Sequence, residues 1–129
     1  MASQTDKPES IHIDVDTAFL NDQSDPSDAR YVFAYTITIR NRGRLPAQLL
    51  TRRWVITDAN GKVQQVEGEG VVGEQPRIMP GKSHRYSSGA VLETPVGTME
   101  GSYGMVDDEG ISFDASIPLF RLTVPGILN

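Results

Sequence analysis

Over Ile11-His12-Ile13-Asp14-Val15-Asp16-Thr17-Ala18-Phe19, apolar residues at odd positions alternate with polar ones. A period of two specifies a half-buried strand with one face on a core, and no amphipathic helix satisfies it. Residues 31–39 are richer still in β-branched and aromatic side chains, as in Tyr31, Phe33, Tyr35, Ile37 and Ile39. They predict a central strand packed on one face by large groups. Between the two, residues 21–28 are dense in Asp, Ser and Pro and read as a loop. Asn41-Arg42-Gly43 supplies a turn, after which residues 48–58 carry the single tryptophan, Trp54. Asp58-Ala59-Asn60-Gly61 folds the chain back onto residues 62–67, because Asn-Gly readily adopts positive φ. Further strands are expected at 84–92, behind the Pro80-Gly81 turn, and at 97–106 and 111–117, joined by Asp107-Asp108-Glu109-Gly110. No stretch sustains an apolar period of 3.6, and Pro118 and Pro125 punctuate the tail.

About seven strands, with turn signals every ~8 to 12 residues, mark an antiparallel sandwich or barrel. One central Trp without a cysteine pair selects an immunoglobulin-like sandwich of the fibronectin type III kind over the antibody kind. The fold class is therefore all-β. A single domain is expected at 10–129, behind a flexible N-terminal segment at 1–9. A chain of 129 residues in one domain removes roughly two-thirds of its unfolded surface from water.

Charge and composition remove several function classes. Zero cysteines exclude disulfides, thiolate metal sites and a cysteine nucleophile. A net charge of −5 argues against general nucleic-acid binding, which neutralises phosphates with positive charge. No apolar run approaches the ~20 residues that span a bilayer, and the first residues lack the pattern of a signal peptide. A cytoplasmic location without membrane association is the expectation. The charge is uneven, however: Arg40, Arg42, Arg44, Arg52 and Arg53 fall within residues 40–53, which contain no acidic residue. Arg42, Arg44, Arg52 and Arg53 are the candidate interaction surface, suited to an acidic protein partner. In a strand, Arg52 and Arg53 point to opposite faces and cannot clamp one ligand together unless a bulge intervenes.

Gly68-Glu69-Gly70-Val71-Val72-Gly73 fits the G-x-G-x-x-G pattern of dinucleotide loops. That pattern has chemical meaning where a strand feeds a helix, whose N-terminal amides hold the pyrophosphate. Here Pro76 and Pro80 follow within a few residues and exclude a regular helix. Gly68, Gly70 and Gly73 then have two readings. They permit positive φ or close backbone approach beside a hairpin, or their amides form an anion-binding nest with Arg52, Arg53 or Arg77 supplying charge. The second reading suits phosphate or pyrophosphate ligands, although Glu69 and Glu74 place negative charge beside it.

No metal centre, cofactor or catalytic constellation is expected. His12 and His84 each lack a second histidine at ligand spacing. Asp22, Asp25 and Asp28 do not follow the calcium-loop spacing, and Asp107-Asp108-Glu109-Gly110 is first a hairpin turn that allows weak, non-selective divalent-metal association. Ser83, Ser87, Ser88 and Ser102 have no nucleophile-elbow setting. Trp54 is expected in the core against Phe33 and Tyr35, or Ile37. The apolar tail over 120–128 either closes a sandwich edge or docks elsewhere.

Three stretches carry a family resemblance. They are residues 52–61 with 66–76, then Gly97-Thr98-Met99-Glu100-Gly101-Ser102-Tyr103, then Ile117-Pro118-Leu119-Phe120. From about Ser10 onward the chain resembles the ApaG family, with Arg53 where many members carry histidine and Ala90 where many carry cysteine. The resemblance implies an immunoglobulin- or fibronectin III-like sandwich. It also implies a genetic link to cobalt resistance and magnesium efflux with no assigned reaction, and a bacterial gene that commonly neighbours one for a diadenosine tetraphosphate hydrolase. Similar domains in eukaryotes are appended to an F-box protein and a polymerase-interacting protein, which implies a non-enzymatic, protein-binding accessory module.

Overall fold

The computed structural model describes residues 10–126. The segment 1–9, and Ile127 and Leu128 of the apolar tail, lie outside the described residues. The chain folds as β1 (Ile11–Phe19), β2 (Tyr31–Asn41), β3 (Ala47–Asp58), β4 (Val63–Glu69), β5 (Arg77–Ile78), β6 (Ser83–Leu92), β7 (Val96–Asp107) and β8 (Ser112–Thr123). Residues 21–28 form two single 3-10 turns rather than an open loop. A three-stranded sheet, β1-β2-β6, packs on a second sheet ordered β4-β3-β7-β8, with the two-residue β5 added to β3. All pairings are antiparallel. This is the fibronectin III-like sandwich read from the sequence, with β5 as the strand that reading lacked.

The alternation that defines β2 places Phe33, Tyr35, Ile37 and Ile39 in the core. β7 contributes Met99, Tyr103 and Met105, and β3 contributes Leu49, Trp54 and Ile56. Trp54 packs edge-on to Tyr35 of the other sheet at 5.4 Å between ring centroids, and against Tyr103 and Phe120 of its own sheet. Phe33, expected beside it, instead meets Phe19 at 5.4 Å.

Two irregularities correct the simple alternation. In β3 the register against β7 shifts between Leu49 and Thr51. Inward positions are therefore odd at Ala47 and Leu49 but even at Trp54, Ile56 and Asp58. In β8 the strand continues through Pro118, which the sequence marks as a break. Met99 pairs with Phe120 and Gly101 with Ile117, so a bulge takes up the proline on this edge strand. The tail thus closes the sandwich as far as Thr123, with Leu122 fully buried.

Candidate functional site

Each glycine of the 68–73 segment has its own structural cause. Gly68 lies opposite Arg52 across β3 and β4. A Cβ there would stand 2.8 Å from both terminal guanidinium nitrogens of Arg52, so the arginine lies flat across the missing side chain. Its Nη1 donates to the carbonyls of Glu69 at 2.9 Å and Gly70 at 3.0 Å. Gly70 has φ +66, and a Cβ would fall 2.4 Å from the Glu74 carbonyl oxygen. Gly73, at φ +78, has open space around it and supplies only backbone freedom.

Between these glycines the chain makes a tight hairpin turn. The Val71 N–H donates to the Glu74 carbonyl at 2.8 Å, and the Glu74 N–H returns to Val71 at 3.1 Å. Positive φ at both central residues, Val72 (48°) and Gly73 (78°), makes it a type I′ turn. Val71 is buried to 1% exposure and plugs the core, whereas Val72 is 64% exposed at the tip. The segment is stitched to β3 by Gly70 N–H to Leu50 O, Leu49 N–H to Pro76 O and Gln75 Nε2 to Leu50 O, each at 2.9 Å. The Gly70, Val71 and Glu74 amides are therefore already bonded within the fold.

This loop forms one lip of a cleft of about 410 Å³. The cleft opens where β4, at the edge of one sheet, faces β6, at the edge of the other. Its walls include Tyr35, Trp54, Tyr86, Ser88, Arg52 and Val72. Tyr86 hydrogen-bonds through its hydroxyl to that of Tyr103. Burial pushes both phenols well above the ordinary tyrosine range, and the neighbouring phenol adds to the shift at Tyr103. Both stay protonated donors throughout the neutral range. A second depression, about 460 Å³, crosses the outer face of the larger sheet at Thr51, Arg53, Glu67, Gly104 and Asp114, with Gly68 on its border and Arg52 bordering both it and the cleft. Gly104 opens it, since a Cβ there would strike Thr51 Oγ1 at 2.3 Å.

The four arginines singled out by sequence occupy three places. Arg52 faces the cleft, and Arg53 faces outward to an exposed pairing with Glu67 at 3.7 Å. The bulge lies before Thr51, so the two remain on opposite faces. Arg42 and Arg44 are exposed in the turn after β2. That turn is built by buried Asn41, whose Nδ2 donates to the Leu45 carbonyl at 2.8 Å and the Ile78 carbonyl at 2.9 Å. Arg77, the other cation proposed for the glycine loop, forks onto Asp108, with Nε–Oδ1 at 3.2 Å.

Among the described residues, no cluster of three or more His, Cys, Asp or Glu is arranged to hold a metal ion. His12 shares a 3.1 Å hydrogen bond with Asp14, and His84 stacks on Tyr86. Asp107, in the acidic turn, is buried and accepts the amides of Glu109 at 2.8 Å and Ile111 at 3.1 Å. No helix among the described residues is long and apolar enough to cross a membrane. The sequence reading missed Tyr86 and Val72. The even-numbered inward phase of His84, Tyr86, Ala90 and Leu92 was the available signal for Tyr86.

Comparison with known proteins agrees with this geometry. The ApaG domain family matches residues 21–107. Protein ApaG of Thiobacillus denitrificans is 61% identical over 119 residues, covering 92% of this chain and 94% of that protein. Protein ApaG of Pseudomonas aeruginosa is 55% identical over 125 residues, covering 97% and 99%. An X-ray structure of a Northeast Structural Genomics Consortium target superposes with a TM-score of 0.90 at 52% identity, covering 94% of this chain and 92% of that one.

Proposed function

The chain belongs to the ApaG domain family, and from that footing we propose that it is a non-enzymatic accessory module that works by binding a protein partner. Val72 carries this reading. A β-branched residue with φ 48° is strained, by about 1–3 kcal/mol, and such strain persists only where surrounding structure over-determines it. Here the bonds from Gly70, Gln75 and Leu49 hold the loop in place. The outcome is an apolar side chain fixed outward beside a cleft walled by Tyr35, Trp54 and Tyr86, with Arg52 alongside. Tyr86, Trp54 and Arg52 are residue types that concentrate binding energy at interfaces, and Val72 adds a fixed apolar contact beside them. The family's link to cobalt resistance and magnesium efflux then operates through the partner and not through metal held by this chain.

Relieving the strain tests the anchor directly. Val72→Asn accepts the left-handed conformation readily, so it should hold or raise Tm while partner recovery from native cell extract falls. Undiminished recovery by Val72→Asn sinks the anchor reading. The second reading, a domain for phosphate- or pyrophosphate-containing ligands, draws on Arg52, whose two bonds both use Nη1 while the side chain borders the cleft. Pyrophosphate and magnesium titrations that move the amides of Gly68 to Gly73 would favour it. The amides already bonded within the loop weigh against it.

A further inference from the structure

We propose that the free edge of β6 is a strand-addition site for an extended partner segment that alternates acidic and apolar residues, an inference that rests on the partner-binding reading above. Among the described residues β6 pairs only with β2, and it ends the three-stranded sheet. Immunoglobulin constant-type domains fill the equivalent position with a fourth strand. In this fold that position stands beside the cleft of about 410 Å³.

The ladder identifies which backbone groups face that edge. The Asn41 N–H donates to the Lys82 carbonyl at 3.0 Å, in line with the β2–β6 register. Hydrogen-bonded pairs alternate in an antiparallel ladder, so odd residues of β2 bond even residues of β6. The other side of β2 agrees, since Leu20 N–H donates to Val32 O and Arg42 N–H to Ser10 O, both even β2-side positions turned to β1. The 2.7 Å contact between Thr36 and Ser87 hydroxyls also fits, as side chains approach most closely in non-hydrogen-bonded pairs. Ser83, Arg85, Ser87, Gly89 and Val91 therefore turn their N–H and C=O groups outward, a continuous template for another strand.

The other edges are blunted and this one is not. β8 carries Pro118 and a bulge, β1 carries Asp14 and Asp16, and β4 carries Glu67 and Glu69. β6 has no proline and an unbroken register, with Arg85 as the one charge among its five outward-bonding residues. Across the outer face of the small sheet, the aspartates lie on β1, while Arg85 lies on β6 and Arg40 beside it on β2. Side chains of an added strand on that face meet positive charge, which selects acidic residues. Side chains on the opposite face enter the cleft, whose lining joins the apolar Val72 and Tyr86 to the polar Arg52, Glu69 and Ser88, and those that meet Val72 and Tyr86 are favoured when apolar. A second copy fits less well, because its own β6 carries Arg85 and no acidic side chain and so cannot supply the acidic residues this face selects.

The test selects from a phage-displayed random decapeptide library against the full chain, then follows the enriched peptide by hydrogen exchange. Peptides alternating acidic and apolar residues should be enriched. On binding, the amides of Arg85, Ser87 and Gly89 should slow by about tenfold or more, while those of Tyr86 and Ser88, already bonded to β2, stay unchanged. Ser87→Pro removes an outward N–H and the exposed hydroxyl contact to Thr36 but no ladder bond, so it should lower Tm by no more than Ser87→Ala does and weaken the peptide by about tenfold where Ser87→Ala does not. Arg85→Glu, which leaves the backbone intact, should weaken the acidic peptide similarly. Protection at other amides, or undiminished binding by Ser87→Pro, overturns strand addition. So does an enriched pool without the alternation, or a concentration-dependent dimer that Ser87→Pro abolishes. If Ser87→Pro still recovers the native partner from extract while Val72→Asn does not, the β6 proposal fails and the partner-binding reading survives. If neither variant changes what the wild type recovers, both fail.

Discussion

Gly70 and Gly73 separate two reasons for a glycine that the sequence shows as one motif. Gly70→Ala meets both positive φ and a backbone oxygen at 2.4 Å, whereas Gly73→Ala meets positive φ in open space. The second should cost about 1 kcal/mol and the first clearly more, read from chemical denaturation. An equal cost at both positions would mean that the crowding at Gly70 relaxes freely. Tyr86 and Tyr103 make a second residue-level case. Tyr86→Phe leaves the fully buried Tyr103 hydroxyl without its partner, at about 1–3 kcal/mol, and the double Phe variant should cost less than the two single changes summed. Both phenols have folded pKa values raised above the ordinary 10.0. Above that pH the unfolded chain loses protons that the folded chain keeps, so their contribution is complete below about pH 10 and falls as pH rises beyond it. Alkaline titration of stability should show a steeper decline in the wild type than in the double Phe variant. The motif was legible in the sequence, but its causes were not. Gly68 answers to Arg52 across the sheet, and no local spacing encodes a cross-strand guanidinium.

At the scale of elements, two hairpins use one device. Asp58 and Asp107 are both buried at a strand end and accept amides two and four residues ahead: Asn60 and Lys62 for the first, Glu109 and Ile111 for the second. Gly61 at φ +83 and Gly110 at φ +81 complete the equivalent turns. The sequence displayed this as Asp58-Ala59-Asn60-Gly61 and Asp107-Asp108-Glu109-Gly110, so both hairpins were readable from local chemistry. Asp58→Ala and Asp107→Ala should each cost about 1–3 kcal/mol by removing two charge-assisted turn hydrogen bonds, whereas Asp108→Ala loses mainly an exposed pairing with Arg77 and should cost under about 1 kcal/mol. Urea midpoints of the three variants decide this. Equal losses would mean that the turn aspartates act through charge alone. The bulge before Thr51 was not readable, because alternation runs smoothly on either side and only pairing with β7 reveals the extra residue. That bulge decides that Arg52 faces the cleft. The most consequential site residue was therefore placed by tertiary pairing and not by local pattern.

For the whole molecule, Trp54 joins the layers. It touches Tyr35 in the smaller sheet and both Tyr103 and Phe120 in the larger one, and it is 2% exposed. The sandwich class could be read from strand number and the lone Trp because burying one face of each sheet leaves few architectures. The open side between β4 and β6 could not, since it depends on which strands end each sheet. With a single core spanning both layers, neither sheet retains a buried face once the other leaves. Unfolding should then be one transition, with Trp54 fluorescence and far-UV circular dichroism giving coincident midpoints. Trp54→Ala removes the central contact and should cost about 3–5 kcal/mol, a large share of the roughly 5–15 kcal/mol that holds a domain together. Trp54→Phe keeps an aromatic ring between the layers and should lose less than half as much. Because Trp54 also borders the cleft, its emission in the wild type should be blue-shifted and shift again when a peptide docks at β6. A wild-type fluorescence midpoint well below that of circular dichroism would instead mean that the cleft side opens before the sandwich does. In that case the rigid loop invoked for Val72 would be a separately melting unit.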